Sequence, residues 1–186
     1  MIGYALCGSF CTFKESYKAL NILKEKYNDI LPIMSGNAYT TDTRFGTCEE
    51  WKEKIEVLCH HKIIHTVADA EPLGPKIALD ALVIAPCTGN TLAKLANGIT
   101  DTPVCMAAKA HLRSDRPLVI ALASNDAMSA NLGNIGKLLN RKNIYFVPMV
   151  QDDPKSKPHS LVADFSLLPE TLENAINGKQ IRKLFL

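Results

Sequence analysis

Short apolar runs alternate along this chain with longer stretches in which apolar residues recur every third or fourth position. Ile2–Cys7, Ile30–Met34, Ala81–Ala85, Leu118–Ala123 and Ile144–Val147 are runs of the kind that strands buried on both faces show. Ile63–Val67 is read as a further strand. Between them, Phe13, Tyr17, Leu20, Leu23 and Tyr27 share one helical face, and Trp51, Ile55 and Leu58 another within 48–59. Helices are also expected at Leu92, Leu95 and Ala96, at Pro103–Leu112, and at Leu132, Ile135, Leu138 and Leu139. Pro169 opens a last short helix that ends near Gly178. Residues 36–47 read as a polar loop, 70–76 as a loop fixed by two prolines and a glycine, and 149–168 as an extended arm around QDDPKSKP. Strands alternating with helices imply a doubly wound parallel sheet with right-handed crossovers. With no repeat and no break in composition, 1–186 is expected to form one domain.

The strand ends carry the chemistry. Asp80–Asp101 is the organising stretch: an apolar run broken by Pro86 and Gly89, then Thr88, Asn90 and Thr91, all good helix N-cap residues. Gly8-Ser9, Ser35-Gly36 and Ser124–Asn131 end the other runs in the same small, hydroxyl- and amide-rich manner. In a parallel sheet these four turns gather at the carboxyl edge, where free N–H groups and the helix dipole favour an anion. That makes a concave polar site suited to a phosphorylated cofactor, although an ordinary capped turn at Thr88–Thr91 explains its spacing equally well. The dinucleotide fingerprint G-x-G-x-x-G is absent. Arg44 is the lone cation in the 36–47 loop, and its fork suits a carboxylate or phosphate as well as it suits solvent.

Composition narrows the class. The formal charge of +2 over 186 residues gives no case for nucleic acid. No apolar run has membrane-spanning length and no signal-peptide pattern is visible, so a cytoplasmic protein is expected. The six cysteines include no C-x-x-C pair and read as free thiols, with Cys7 and Cys105 in the core. Cys59-His60-His61 with His65 does not match zinc spacing, and no metal site is expected.

IAPCTGNTLAKLANGITD, residues 84–101, resembles the signature of the flavoprotein family that includes FMN-dependent cysteine decarboxylases. The resemblance implies a Rossmann-like three-layer sandwich and an FMN site. Carried over, Ser9, Ser35, Thr88, Asn90 and Thr91 would hold the cofactor, Gly8 and Gly89 would admit its close approach, and Asn125 would border the ring. Two departures set the chain apart from the decarboxylases. Pro72 stands where their histidine precedes the aspartate matching Asp80, and Leu122 to Met128 keeps only Asn125 and Met128 of their P-x-M-N-x-x-M segment. The missing histidine argues against decarboxylation of peptidyl or pantothenoyl cysteine.

Further short motifs narrow the likeness: TDTRFG, AEPLGPK, MAAKA, KNIYFVP, QDDP and the late KP, in that order. Together they resemble the family of dipicolinate synthase B-type chains. That implies work with an A-type partner chain carrying NAD(P), oxidation of a dihydrodipicolinate-type dicarboxylate to dipicolinic acid, and a setting in the mother cell of an endospore-forming bacterium. It also implies a homo-oligomer, a trimer or dodecamer. A dicarboxylate needs cationic anchors, for which Arg44, Lys109 and Arg113 are candidates, and aromatisation needs a base, for which Glu71 and His111 are candidates. Two other functions stay open: a non-redox, substrate-binding or stabilising component with an empty flavin-type pocket, and an FMN-dependent decarboxylase or flavin prenyltransferase.

Overall fold

Five parallel strands form the frame of the computed structural model, which describes residues 1–74 and 76–186. They are β1 (Ile2–Leu6), β2 (Ile30–Met34), β3 (Ala81–Cys87), β4 (Leu118–Ser124) and β5 (Ile144–Phe146), in the spatial order β2-β1-β3-β4-β5. The order reverses at β1, and in open α/β sheets ligands bind outside the carboxyl ends at such a point.

Alternate strand residues feed two cores. Tyr4, Leu6, Val83 and Val119 meet α1 (Phe13–Lys26), α3 (Cys48–Cys59) and α8 (Leu168–Ile176) on one face. Ala5, Ile84, Ile120 and Leu122 meet α5 (Gly89–Asn97), α6 (Pro103–Leu112) and α7 (Leu132–Leu139) on the other. The strands read as unbroken apolar runs because both faces are covered. One polar group crosses the first core. Fully buried Ser16 donates to the Ala85 carbonyl at 2.6 Å and sits 2.9 Å from the Tyr4 hydroxyl. Ala85 lies where the β3–β4 register shifts, and Ser16 gives its carbonyl a side-chain partner there.

Three segments differ from the sequence expectations. Ile63–Val67 is not a strand: only Ile64 bridges to Ile33 on the outer edge of β2. Thr66 then accepts from the Asp69 N–H and starts the short helix α4 (Val67–Ala70). Within 36–47, Ser35 accepts from the Ala38 N–H and opens α2 (Gly36–Thr40). The supposed arm 149–168 folds back on itself. Its strands β6 (Met149–Val150) and β7 (Leu161–Ala163) pair antiparallel, and β7 pairs antiparallel with Ala123 and Ser124 at the end of β4. In the 70–76 loop, Gly74 packs against the Ala110 carbonyl of α6, while Pro75 falls outside the described residues. No described helix is long and apolar enough to cross a membrane.

Candidate functional site

At the carboxyl edge, the turns after β1 and β3 are tied to one another. The Cys7 N–H donates to the Pro86 carbonyl at 3.0 Å. Thr88 caps α5 by accepting from the Thr91 N–H, and the Thr91 hydroxyl donates to Cys7 Sγ at 3.3 Å. The hydroxyl of buried Thr91 is therefore spent inside the fold, while Asn90 is exposed. Burial pushes the Cys7 thiol up to about 12, which keeps it an inert core group. The Ser9 hydroxyl is less committed, meeting only the Cys11 thiol at 3.9 Å among the described residues.

Gly89 has a different use from the one expected. A side-chain carbon there would lie 2.5 Å from Ser124 Oγ, 2.6 Å from Asn131 Nδ2 and 2.8 Å from Asp126 Oδ1. The 124–131 turn occupies the space that the missing side chain leaves. Asp126 accepts from both Ser124 and Asn131, and chiefly the Ser124 hydroxyl holds its carboxyl below the usual range. The carboxylate beside the first turn of α5 also suits the helix dipole. Gly89→Ala is expected to cost about 1–3 kcal/mol by overpacking and to displace Asn125. Denaturant titration with a tryptophan readout checks the first, and a midpoint equal to wild type would contradict it.

Two cavities flank the first turn. One, of about 300 Å³, is lined by Ser9, Thr12, Ser124, Asn125, Asp152 and Lys157, with Asp152 and Lys157 paired at 3.0 Å. The other, of about 210 Å³, is lined by Phe10, Lys14, Arg44, Phe45 and Trp51. Arg44 lies over the Phe45 ring, 4.8 Å from its centre. Exposed Cys11 lines both. The donors of the first cavity, a hydroxyl-bearing turn, an amide and an ammonium, fit a phosphate-bearing cofactor such as a flavin nucleotide. The fit rests on Ser9, Asn125 and Lys157 and not on Gly89.

The fold thus gathers Gly8, Ser9, Ser35, Thr88, Gly89, Asn90, Thr91 and Asn125 at one edge and sets Arg44 beside them. It does not bring the other candidates there. Glu71 is exposed at the end of α4 and lines none of these cavities. Lys109 and Arg113 lie at the C-terminal end of α6, which descends to the amino edge. His111 is fully buried there, with Nε2 2.9 Å from the Pro117 carbonyl just before β4 and Nδ1 without a partner among the described residues. The seven residues of β4 separate it from Ser124, about 20 Å of strand. The cysteine–histidine run also disperses: Cys59 is core, His61 pairs with Asp29 at 2.8 Å, and His65 stacks on Tyr39.

Burial holds the His111 pKa below its ordinary 6.5. Between the folded value and 6.5 the unfolded chain therefore binds the extra proton. The stabilising contribution is complete above 6.5 and is lost as pH falls toward the folded value. His111→Gln is expected to remove that component of acid destabilisation. Denaturation midpoints on both sides of 6.5 check it, and an equal acid loss in the variant would contradict it.

Lys14, Phe45, Asp152 and Lys157 were not singled out from the sequence. Lys14 follows the first turn by a helical step, and QDDP and KP marked the second pair without showing where the segment folds.

A doubly wound sheet with its polar turns beside β1 and β3 is the architecture found in the flavoprotein family, and the chain belongs to that family, whose model matches residues 2–165. Within it, the chain is 44% identical over 185 residues to the B subunit of dipicolinate synthase from Bacillus subtilis (strain 168), covering 100% of this chain and 92% of that protein. The crystal structure of the dipicolinate synthase B subunit from Bacillus halodurans C superposes with a TM-score of 0.91 at 44% identity, over 100% of this chain and 95% of the other. A dodecameric FMN-dependent Ubix-like decarboxylase from Escherichia coli O157:H7 shares the fold, with a TM-score of 0.64 and 23% identity over 80% of each chain.

Proposed function

We propose that this chain is the B-type component of a dipicolinate-forming oxidoreductase. With an A-type partner chain that holds NAD(P), it takes part in oxidising a dihydrodipicolinate-type dicarboxylate to dipicolinic acid in the cytoplasm of a sporulating mother cell. The observation that carries this reading is the pair of neighbouring cavities that Cys11 borders on both sides, in a chain related over its whole length to a dipicolinate synthase B subunit. One cavity offers phosphate-type donors, and the other offers two cations against aromatic rings.

The net change is loss of a hydride and a proton from the dihydropyridine ring, which leaves it aromatic. Arg44 and Lys14 hold the two carboxylates, and Phe10 and Phe45 cover the ring. Asp152, the one carboxylate lining these two cavities among the described residues, replaces Glu71 and His111 as the proton acceptor. A flavin held by Ser9, Asn125 and Lys157 would supply a two-electron acceptor. The working form is a homo-oligomer, trimeric or dodecameric, as the Escherichia coli neighbour is dodecameric by its description.

The test is an absorption spectrum of the purified protein after incubation with excess FMN and desalting. Retained flavin bands are expected, and Ser9→Val is expected to weaken them. Protein that retains no flavin favours the second reading, a non-redox component that shapes the substrate site while the nicotinamide of the A-type chain does the oxidation. The Asp126 carboxylate already seated beside Gly89 is the feature that speaks for it.

A further inference from the structure

A third cavity, of about 470 Å³, lies at the amino edge of the sheet, where α5 and α6 end and β5 begins. Leu95, Leu112 and Ile144 supply apolar walls, and Ile99 stands 46% exposed beside them. Four cations line it: Lys109 and Arg113 from the end of α6, and Arg141 and Lys142 from the turn after α7. Asp115 is the one carboxylate in the lining among the described residues, and Lys142 and Asn143 hold it at 2.6 and 2.7 Å. Arg141 gives one N–H to the Leu95 carbonyl at 3.2 Å, closing the end of α5. Lys109 and Arg113 form no ion pair among the described residues.

The chain as a whole carries only +2, so this positive charge is concentrated. Helix C-termini attract cations, and Arg141 answers that need at α5. The dipole does not call for two such cations one helical turn apart beside an apolar hollow. Residues at that spacing lie on the same side of a helix, so one ligand can meet both.

We propose that this amino-edge cavity binds a small anion with an apolar body, of the class of aromatic dicarboxylates, separately from the carboxyl-edge site. The apolar walls cover a ring, Arg113 takes one carboxylate through its fork, and Lys109 takes the other as a point charge. Inorganic phosphate would satisfy the cations but leave the walls wet. A ligand bound here is a strand length from Ser9 and Asn125, so it influences affinity or assembly and does not enter the reaction. The inference stands on this cavity alone, and the product of the proposed reaction happens to fall in the ligand class.

The test is isothermal titration of the purified protein in its native assembly with pyridine-2,6-dicarboxylate, with benzoate and inorganic phosphate as comparison probes. The dicarboxylate is expected to bind more tightly than either. The double variant Lys109→Ala, Arg113→Ala changes two exposed side chains and keeps the fold, which its circular dichroism spectrum verifies. It is expected to weaken one component of dicarboxylate binding by roughly tenfold or more, the size of a charge-assisted contact. Arg44→Ala is expected to retain that component. Wild-type protein that takes up no dicarboxylate, or phosphate that binds as tightly, overturns the inference. So does a double variant that binds like wild type. Binding lost in Arg44→Ala alone overturns it too, while leaving the proposed function intact.

Discussion

Gly74→Ala is expected to destabilise the folded chain by about 3 kcal/mol or more, because strain and overpacking act together. Gly74 has a φ of +96°, a region that side-chain-bearing residues rarely adopt. An added carbon would also sit 2.4 Å from the Ala110 carbonyl oxygen and 2.9 Å from its carbon. Those are backbone atoms of α6 and cannot step aside as a side-chain tip can. The Gly74 N–H is already committed to the Ile77 carbonyl at 2.7 Å, which fixes the loop that seals this part of the core. Gly136→Ala is the control, since a carbon added there meets nothing within 4 Å and α7 gains from alanine. Urea unfolding followed by circular dichroism separates the two. Equal midpoints for the variants would refute the packing argument.

Under the proposed function, Arg44→Ala is expected to lower kcat/KM of the assembled complex for the dicarboxylate by roughly 10- to 100-fold, the loss of one bidentate charge-assisted contact. Flavin retention by the same variant should match wild type, because Arg44 lines the aromatic cavity and not the one around Ser9 and Asn125. Arg44→Lys should restore only part of the loss, since an ammonium cannot present the planar fork. Kinetics unchanged in Arg44→Ala would remove this residue from the proposed substrate site.

Legibility in the sequence followed the range of the interaction involved. The parallel strands were readable because burial on both faces leaves unbroken apolar runs. The cap residue Thr88 was readable because capping is settled within four residues, whereas Ser35 reads as part of a polar turn and opens α2 instead. Ile63–Val67 has the apolar content of a strand, yet Thr66 turns the chain into a helix after one bridge. The QDDPKSKP segment lacks apolar residues; it is folded back by pairing of its flanking strands with each other and with distant Ala123 and Ser124. Three of the candidates that lie away from the carboxyl edge share one geometric cause. Lys109, His111 and Arg113 end a helix, and in a strand–helix–strand unit the helix returns the chain to the amino edge. Residues late in such a helix therefore sit a strand length from the turns that open it, as His111 does.

The placement of Cys11 has a practical use. Cys7, Cys59, Cys87 and Cys105 are shut inside the fold, while Cys11 is exposed and borders both carboxyl-edge cavities. With Cys48, the half-covered thiol, replaced by serine, a thiol-reactive dye has one open point of attachment. A fluorophore seated there reports the filling of either chamber by a change in emission, and it leaves the packed interior chemically untouched.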